Sequence, residues 1–173
     1  PSSAASDVYK RQEITNIEPG MLMKESDETT HFSIIDKWGN SVSNTYTLNG
    51  AYGSGIVAKG TGILMNNEMD DFSQKPGYPN LYGLIGSEAN KIEPKKSPLS
   101  SMSPVIVTKD NIPYLITGSP GGSTIINSVF QEIINILDFE MSLEESSNKN
   151  RIHYQWQPDI ISVSYTHLTL PTK

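Results

Sequence analysis

The sequence predicts an α+β domain. Three observations carry that prediction. A run from Thr29 to Asp36 and another from Ser41 to Asn49 flank the turn Lys37-Trp38-Gly39-Asn40. A second pair, Val105 to Thr108 and Ile112 to Thr117, flanks Lys109-Asp110-Asn111. One stretch, about Ser123 to Leu137, repeats its apolar residues at spacings of three and four. Strands joined by short turns pair antiparallel, and the helical pattern follows them instead of alternating with them.

Composition bounds the reading. The chain has 173 residues, 36% of them hydrophobic, with 13 Gly and 11 Pro, which fits one turn-rich domain with a core of its own. A net charge of -6 offers no broad cationic surface for phosphate backbones and argues against a nucleic-acid partner. Cysteine is absent, so thiol nucleophiles, thiolate metal sites and disulfides are excluded. No apolar run is long enough to cross a bilayer, no basic segment followed by an apolar one opens the chain, and no internal repeat is present.

In chain order, residues 1–12 are polar and without period, and their wording, like that of residues 163–173, resembles translated adaptor sequence. Residues 13–28 are acidic, broken by Pro19-Gly20, and read as a linker or as a short docked helix. The first hairpin follows. Its pairing would return Thr47 beside Thr29 or Thr30, leaving a cluster of hydroxyls at one end.

Residues 50–62 are glycine-rich but hold no phosphate-cradling signature. Ile63-Leu64-Met65 is expected as a short strand that runs into the polar cluster 66–73. That cluster reads either as a solvated turn or as Glu68 and Asp71 facing a ligand's ammonium group or a metal, and the spacing is not that of a calcium loop. Residues 75–98, with four prolines, form a long irregular connection of the kind that serves as a lid or binding loop. Tyr82 is then either a closing residue or surface decoration.

In the second hairpin Pro113 places its own position outside the ladder or at a strand start. The turn Gly118-Ser119-Pro120-Gly121-Gly122 then leads into the helix, whose Ile125, Ile126, Val129, Phe130, Ile133, Ile134 and Leu137 form a face for a core. A shorter helix, 142–148, opens on the capping box Ser142-Leu143-Glu144-Glu145. Residues 151–158 read as an aromatic and polar loop, and 159–163 as the start of one more strand.

No paired-histidine metal spacing exists, and Ser119 stands one place too early for a nucleophile elbow. The alternative to a serine triad is an amino-terminal threonine, which once freed carries its own amine as a base. Cleavage just before Thr29 would free it. Gly121 and Gly122 offer two unobstructed backbone N–H groups before a helix start, which suits an oxyanion hole as well as an ordinary cap.

Five motifs in register carry a resemblance: Thr29-Thr30-His31-Phe32-Ser33-Ile34-Ile35-Asp36, Thr45-Tyr46-Thr47-Leu48-Asn49, Leu64 to Phe72, Lys96 to Pro104 and Thr117 to Ser123. Together they resemble the small catalytic subunit of gamma-glutamyltransferase, from about Asp27 to Asp159. The resemblance implies an amino-terminal-nucleophile hydrolase, a four-layer αββα sandwich that is incomplete in this chain. It implies self-cleavage between Glu28 and Thr29, with Thr29 as nucleophile, Thr47 orienting it, and Gly121 and Gly122 binding the oxyanion.

By the same resemblance Asn49, Glu68 and Asp71 receive the α-ammonium of the substrate, Ser100 and Ser101 lie near its α-carboxylate, and Tyr82 closes the lid onto Asn49. Glutathione or another gamma-glutamyl compound is the implied donor, with water, amino acids or peptides as acceptors and no cofactor. Residues 13–28 become the tail of a large subunit made in the same precursor, 29–162 part of the small subunit, and the intact protein is expected to be periplasmic or secreted. A chain lacking the rest is expected to be inactive. Acylases of the same superfamily would share Thr29-Thr30-His31 and Gly121-Gly122, and the set Glu68, Asp71 and Tyr82 separates them. A non-catalytic binding remnant would leave the Glu28-Thr29 bond uncut.

Overall fold

β-branched and aromatic residues (Thr29, Thr30, Phe32, Ile34 and Ile35; Val42, Thr45, Tyr46 and Thr47) favour the extended backbone of Thr29–Ile35, strand β1, and Ser41–Thr47, strand β2. The computed structural model describes residues 28–156, 159 and 161–164. The readings made for residues 1–27 and for the end of the chain after 164 lie outside them. β1 and β2 pair antiparallel from Thr29↔Thr47 to Ile35↔Ser41. Asp36 fixes the turn, its carboxylate accepting the backbone N–H groups of Trp38 (2.8 Å) and Asn40 (2.9 Å) and the Asn40 side-chain amide (2.7 Å). These bonds, that of the Asn40 side chain foremost, hold its carboxyl below the usual range.

Ile63-Leu64-Met65 does not form the expected strand. It makes one isolated antiparallel bridge, Val57↔Leu64, next to the tight Ala58–Thr61 turn (Thr61 N–H to Ala58 O, 3.1 Å), and beyond Ile56 a second tight turn (Gly55 N–H to Tyr52 O, 2.9 Å), with Gly53 and Gly55 at positive φ, interrupts the pairing. The polar cluster that follows winds into a 3₁₀ turn, Glu68–Asp71. The long connection is irregular, as its prolines predict, and is pinned by isolated bridges Ser73↔Lys91 and Pro79↔Ile85 and a 3₁₀ turn at Glu88–Asn90.

Val105–Lys109 (β3) and Ile112–Thr117 (β4) form the second hairpin. Asp110 and Asn111 both take positive φ (54° and 63°), the conformation a two-residue primed turn needs. A bulge falls between Val107 and Thr108, and Pro113 sits opposite Thr108 beside it, where no regular ladder bond is lost. The first hairpin leans on β4 through hydroxyls. Ser33 donates to the carbonyl of Ile116 (3.1 Å) and Ser43 to that of Thr117 (2.8 Å).

The expected helix begins later than Ser123. Gly122–Thr124 is a 3₁₀ turn, and helix α1 runs Ile125–Leu137. Its apolar face is only partly covered: Ile125 and Val129 are buried, but Ile126, Phe130 and Leu137 are 52%, 62% and 42% exposed. The described elements pack on one side of α1, so the remainder of the stripe meets solvent. Helix α2, Leu143–Ser147, opens on Ser142 with both bonds of the capping box.

Arg151–His153 is strand β5, not a loop, and pairs with Ser162–Ser164, β6. The aromatic and polar content of 151–158 hid a strand of only three residues. The boundary at 162 drawn from the sequence falls inside β6, where Val163 pairs with Ile152. Among the described residues the strands form three two-stranded sheets, the buried apolar side chains are Phe72, Leu115, Ile125 and Val129, and no helix is long and apolar enough to cross a membrane.

Candidate active site

The register of the first hairpin puts two threonine hydroxyls together. Thr29 opens β1 and is 7% exposed. Its hydroxyl donates to Oγ1 of Thr47, at the end of β2, across 3.2 Å. Thr47 also accepts the backbone N–H of Asn49 (2.9 Å) and donates to the carbonyl of Glu28 (3.4 Å). One hydroxyl therefore touches both the side chain of Thr29 and the carbonyl of the peptide bond preceding it. Asn49 is 3% exposed with φ of 71°, and its side-chain amide donates to the carbonyl of Asn67 (3.3 Å).

A cavity of about 720 Å³ opens from this point. Thr29, Thr47, Asn49, Glu68, Asp71, Tyr82, Ser100, Ser101 and Gly122 all line it. Glu28 and Gly121 do not, although Gly121 is buried and adjoins Gly122 in the chain. Residues drawn from six separate stretches of sequence thus meet on one surface.

The electrostatics of its floor are acidic. Burial, the neighbouring charge of Asp71 and a side-chain hydrogen bond to it push the Glu68 carboxyl up to about 7. Asp71 is also raised, by burial and by the charge of Asp70, while its bond to Glu68 acts the other way. Oε2 of Glu68 is buried and has no hydrogen-bond partner, which leaves an acceptor for a cationic donor. Among the described residues no group of three or more histidine or acidic side chains is arranged to hold a metal ion.

The lid and the glycine turn touch. Tyr82 donates its hydroxyl to Asn49 across 2.7 Å, but to the backbone carbonyl and not to the side chain. A Cβ built on Gly122 would stand 3.1 Å from the Tyr82 ring, and Gly122 has φ of 56°, so only glycine fits there without strain. Ser101 donates to the carbonyl of Gly122 (2.8 Å), and the Ser100 hydroxyl accepts the Met102 N–H (3.2 Å). Gly121 and Gly122 lead straight into the 3₁₀ turn and α1.

Sequence reasoning passed over Asp70 and Asn90. Asp70 Oδ2 accepts the backbone N–H of Leu81 (2.9 Å), tying the lid to the acidic turn. Asn90 lines the cavity from the irregular connection, where no periodicity marks a residue. For Asp70 the signal was present in the carboxylate density of 68–71.

Residues 2–169 match the family model described as gamma-glutamyltranspeptidase. The chain belongs to that family. It is 53% identical over 158 residues to the glutathione hydrolase proenzyme of Escherichia coli (strain K12), covering 91% of this chain and 27% of that protein. It is 55% identical over 142 residues to the glutathione hydrolase proenzyme of Pseudomonas aeruginosa, covering 82% and 25%.

Among solved gamma-glutamyltranspeptidases, a mutant of the Helicobacter pylori protein superposes with a TM-score of 0.74 at 56% identity, over 78% of this chain and 72% of that one. The Pseudomonas nitroreducens protein complexed with L-DON gives 0.72 at 57% identity, over 75% and 67%. The chain spans about a quarter of the length of the curated relatives it matches. Its structure and these likenesses point to the αββα amino-terminal-nucleophile superfamily.

Proposed function

We propose that the full-length protein carrying this chain hydrolyses and transfers the gamma-glutamyl group of glutathione and related compounds through a threonine ester. The observation that carries the reading is the Thr29–Thr47 hydroxyl pair, 3.2 Å apart, on the wall of a cavity whose floor is the Glu68–Asp71 carboxyl pair. Membership of the gamma-glutamyltranspeptidase family supports it.

Processing comes first. Thr47 Oγ1 reaches the Glu28 carbonyl and the Thr29 hydroxyl together, a placement suited to attack of Thr29 Oγ1 on the Glu28 carbonyl carbon. The peptide C–N bond breaks as the ester forms, the Thr29 nitrogen takes the hydroxyl proton, and water hydrolyses the ester. Thr29 then holds a free α-amine, ordinarily of pKa near 7.7 to 8.0, as its own base. The relatives named proenzymes, and a solved gamma-glutamyltranspeptidase whose C-terminus is described as critical for autoprocessing, support this order.

In turnover the α-amine accepts the Thr29 hydroxyl proton while Oγ1 attacks the γ-amide carbonyl. The backbone N–H groups of Gly121 and Gly122 stabilise the oxyanion. Collapse breaks the C–N bond, the proton passes to the departing amine, and water or an acceptor amine from an amino acid or peptide takes the acyl group from Thr29. Glu68, Asp71 and Asn49 hold the α-ammonium, and Ser100 and Ser101 the α-carboxylate. Two carboxyls on the cavity floor favour a glutamyl over a glutaryl head, because only the former brings a cation.

Residues 13–28 are then the end of a large subunit and 29–162 part of the small one. The large subunit completes the four layers, and the intact protein is periplasmic or secreted. Thr29→Ala in the full-length protein is the test. It is expected to leave the Glu28–Thr29 bond intact by mass spectrometry and to abolish release of glutamate from glutathione, whereas retained hydrolysis refutes the reading.

A further inference from the structure

Two parts of the cavity wall lie far apart in sequence, the acidic turn 68–71 and the serine pair 100–101, and a single side chain joins them. Asn90 ends the 3₁₀ turn Glu88–Asn90 and lines the cavity. Its Nδ2 donates to the backbone carbonyl of Asp71 across 2.7 Å. Its Oδ1 accepts the backbone N–H of Leu99, the residue before Ser100, across 3.0 Å. Its own carbonyl accepts the N–H of Ser73 (2.9 Å), beside the bridge Ser73↔Lys91.

From Leu99 the chain continues to Ser101, whose hydroxyl donates to Gly122 (2.8 Å). A continuous path of short polar contacts and adjoining backbone therefore runs from Asp71 through Asn90 and residues 99–101 to the glycine turn. Asn90 supplies both side-chain bonds at its centre. An amide is the group for this task, since it donates at one end and accepts at the other, and no carboxylate or ammonium does both.

We propose that Asn90 is a positioning residue that sets the distance between the two ends of the glutamyl head-group site, so that the groups facing the α-ammonium and those facing the α-carboxylate are held at one spacing. The proposal rests on the substrate reading given above. Asn90 acts through Asp71 and Ser100 and touches no reacting atom. Its loss therefore weakens recognition of donors that present both charged groups, while Thr29 chemistry proceeds once a donor is seated.

The test is steady-state kinetics of the full-length, self-cleaved protein with three anilide donors: gamma-glutamyl, glutaryl, which lacks the α-amine, and 4-aminobutyryl, which lacks the α-carboxylate. Each neutral hydrogen bond is worth about two- to tenfold in an equilibrium constant. Asn90→Ala is expected to raise KM for the gamma-glutamyl donor about 10- to 100-fold with kcat lowered less than about threefold. The penalty on kcat/KM is expected to shrink to about two- to tenfold for either truncated donor.

Asn90→Gln, which keeps both hydrogen-bonding groups one methylene further out, shows the same pattern at smaller size. It decides the matter if the alanine variant fails to self-cleave. A KM change below about twofold for the gamma-glutamyl donor, or an equal loss for all three donors, overturns the proposal. Failure of the substrate reading is seen separately, as an unmutated protein that turns over none of the donors or a Thr29→Ala protein that still turns them over.

Discussion

Glu68 is the residue whose state the cavity controls most. Its ordinary value is 4.5 and in the folded chain it stands at about 7, so the folded protein holds a proton that the unfolded chain has released. An acid raised in this way favours folding fully below about 4.5 and loses that contribution as pH rises to about 7. A bound ammonium group works in the opposite direction, because it prefers the ionised form. The apparent KM of a gamma-glutamyl donor is therefore expected to fall as pH rises through about 7, and Glu68→Gln to flatten that profile. A steady-state pH series on both proteins checks it, and a parallel slope in the variant refutes the assignment.

Part of this was legible at the residue level. Thr29 and Thr47 emerge from strand pairing, which has a period that can be counted, and Glu68 and Asp71 from an unusual density of carboxylates after an apolar run. The resemblance sets Tyr82 against Asn49, but that the acceptor is the Asn49 backbone carbonyl was not legible, because a backbone acceptor has no residue type to betray it. Asn90 was hidden for a related reason, as both of its partners are main-chain groups.

The seam between the two hairpins is where elements meet through polar contacts instead of a ladder. Ser33 and Ser43 reach carbonyls of β4, Thr117 donates to the Glu132 carboxylate of α1, and the His31 ring lies against Gly118. His31 is held between Thr45 (2.7 Å) and Ser33 (3.0 Å), and burial keeps its imidazole below the ordinary value despite the charge of Glu132. A Cβ on Gly118 would meet that ring at 2.2 Å. Gly118→Ala is expected to cost about 1–3 kcal/mol of stability, as overpacking does, measured by urea denaturation of the full-length protein. An unchanged midpoint would show that the ring moves aside freely.

Hairpins and helices were legible as elements, since their signals are local. The contacts that join them were not. A serine pointing at a distant carbonyl leaves no period in the sequence, and a three-residue strand such as β5 is too short to show one, whereas β6 falls at the end of the stretch 159–163 expected to start a strand.

At the scale of the molecule, three two-stranded sheets and four buried apolar side chains are a small core among the described residues. Paired strands of this kind are marginal without further covering. Ile126, Phe130 and Leu137 form an exposed stripe along α1, spaced four and seven apart. The 173-residue chain alone is expected to self-associate at micromolar concentration, and Phe130→Glu to reduce that association, as read by light scattering. A monomeric parent chain would overturn the expectation.

The approach of Tyr82 to Gly122 has a consequence for redesign. A library that varies position 122 alone samples collisions with an aromatic ring 3.1 Å away, whatever chemistry the new side chain brings. Positions 82 and 122, separated by forty residues of chain, form one unit of variation, and adding a side chain at 122 requires varying position 82 with it.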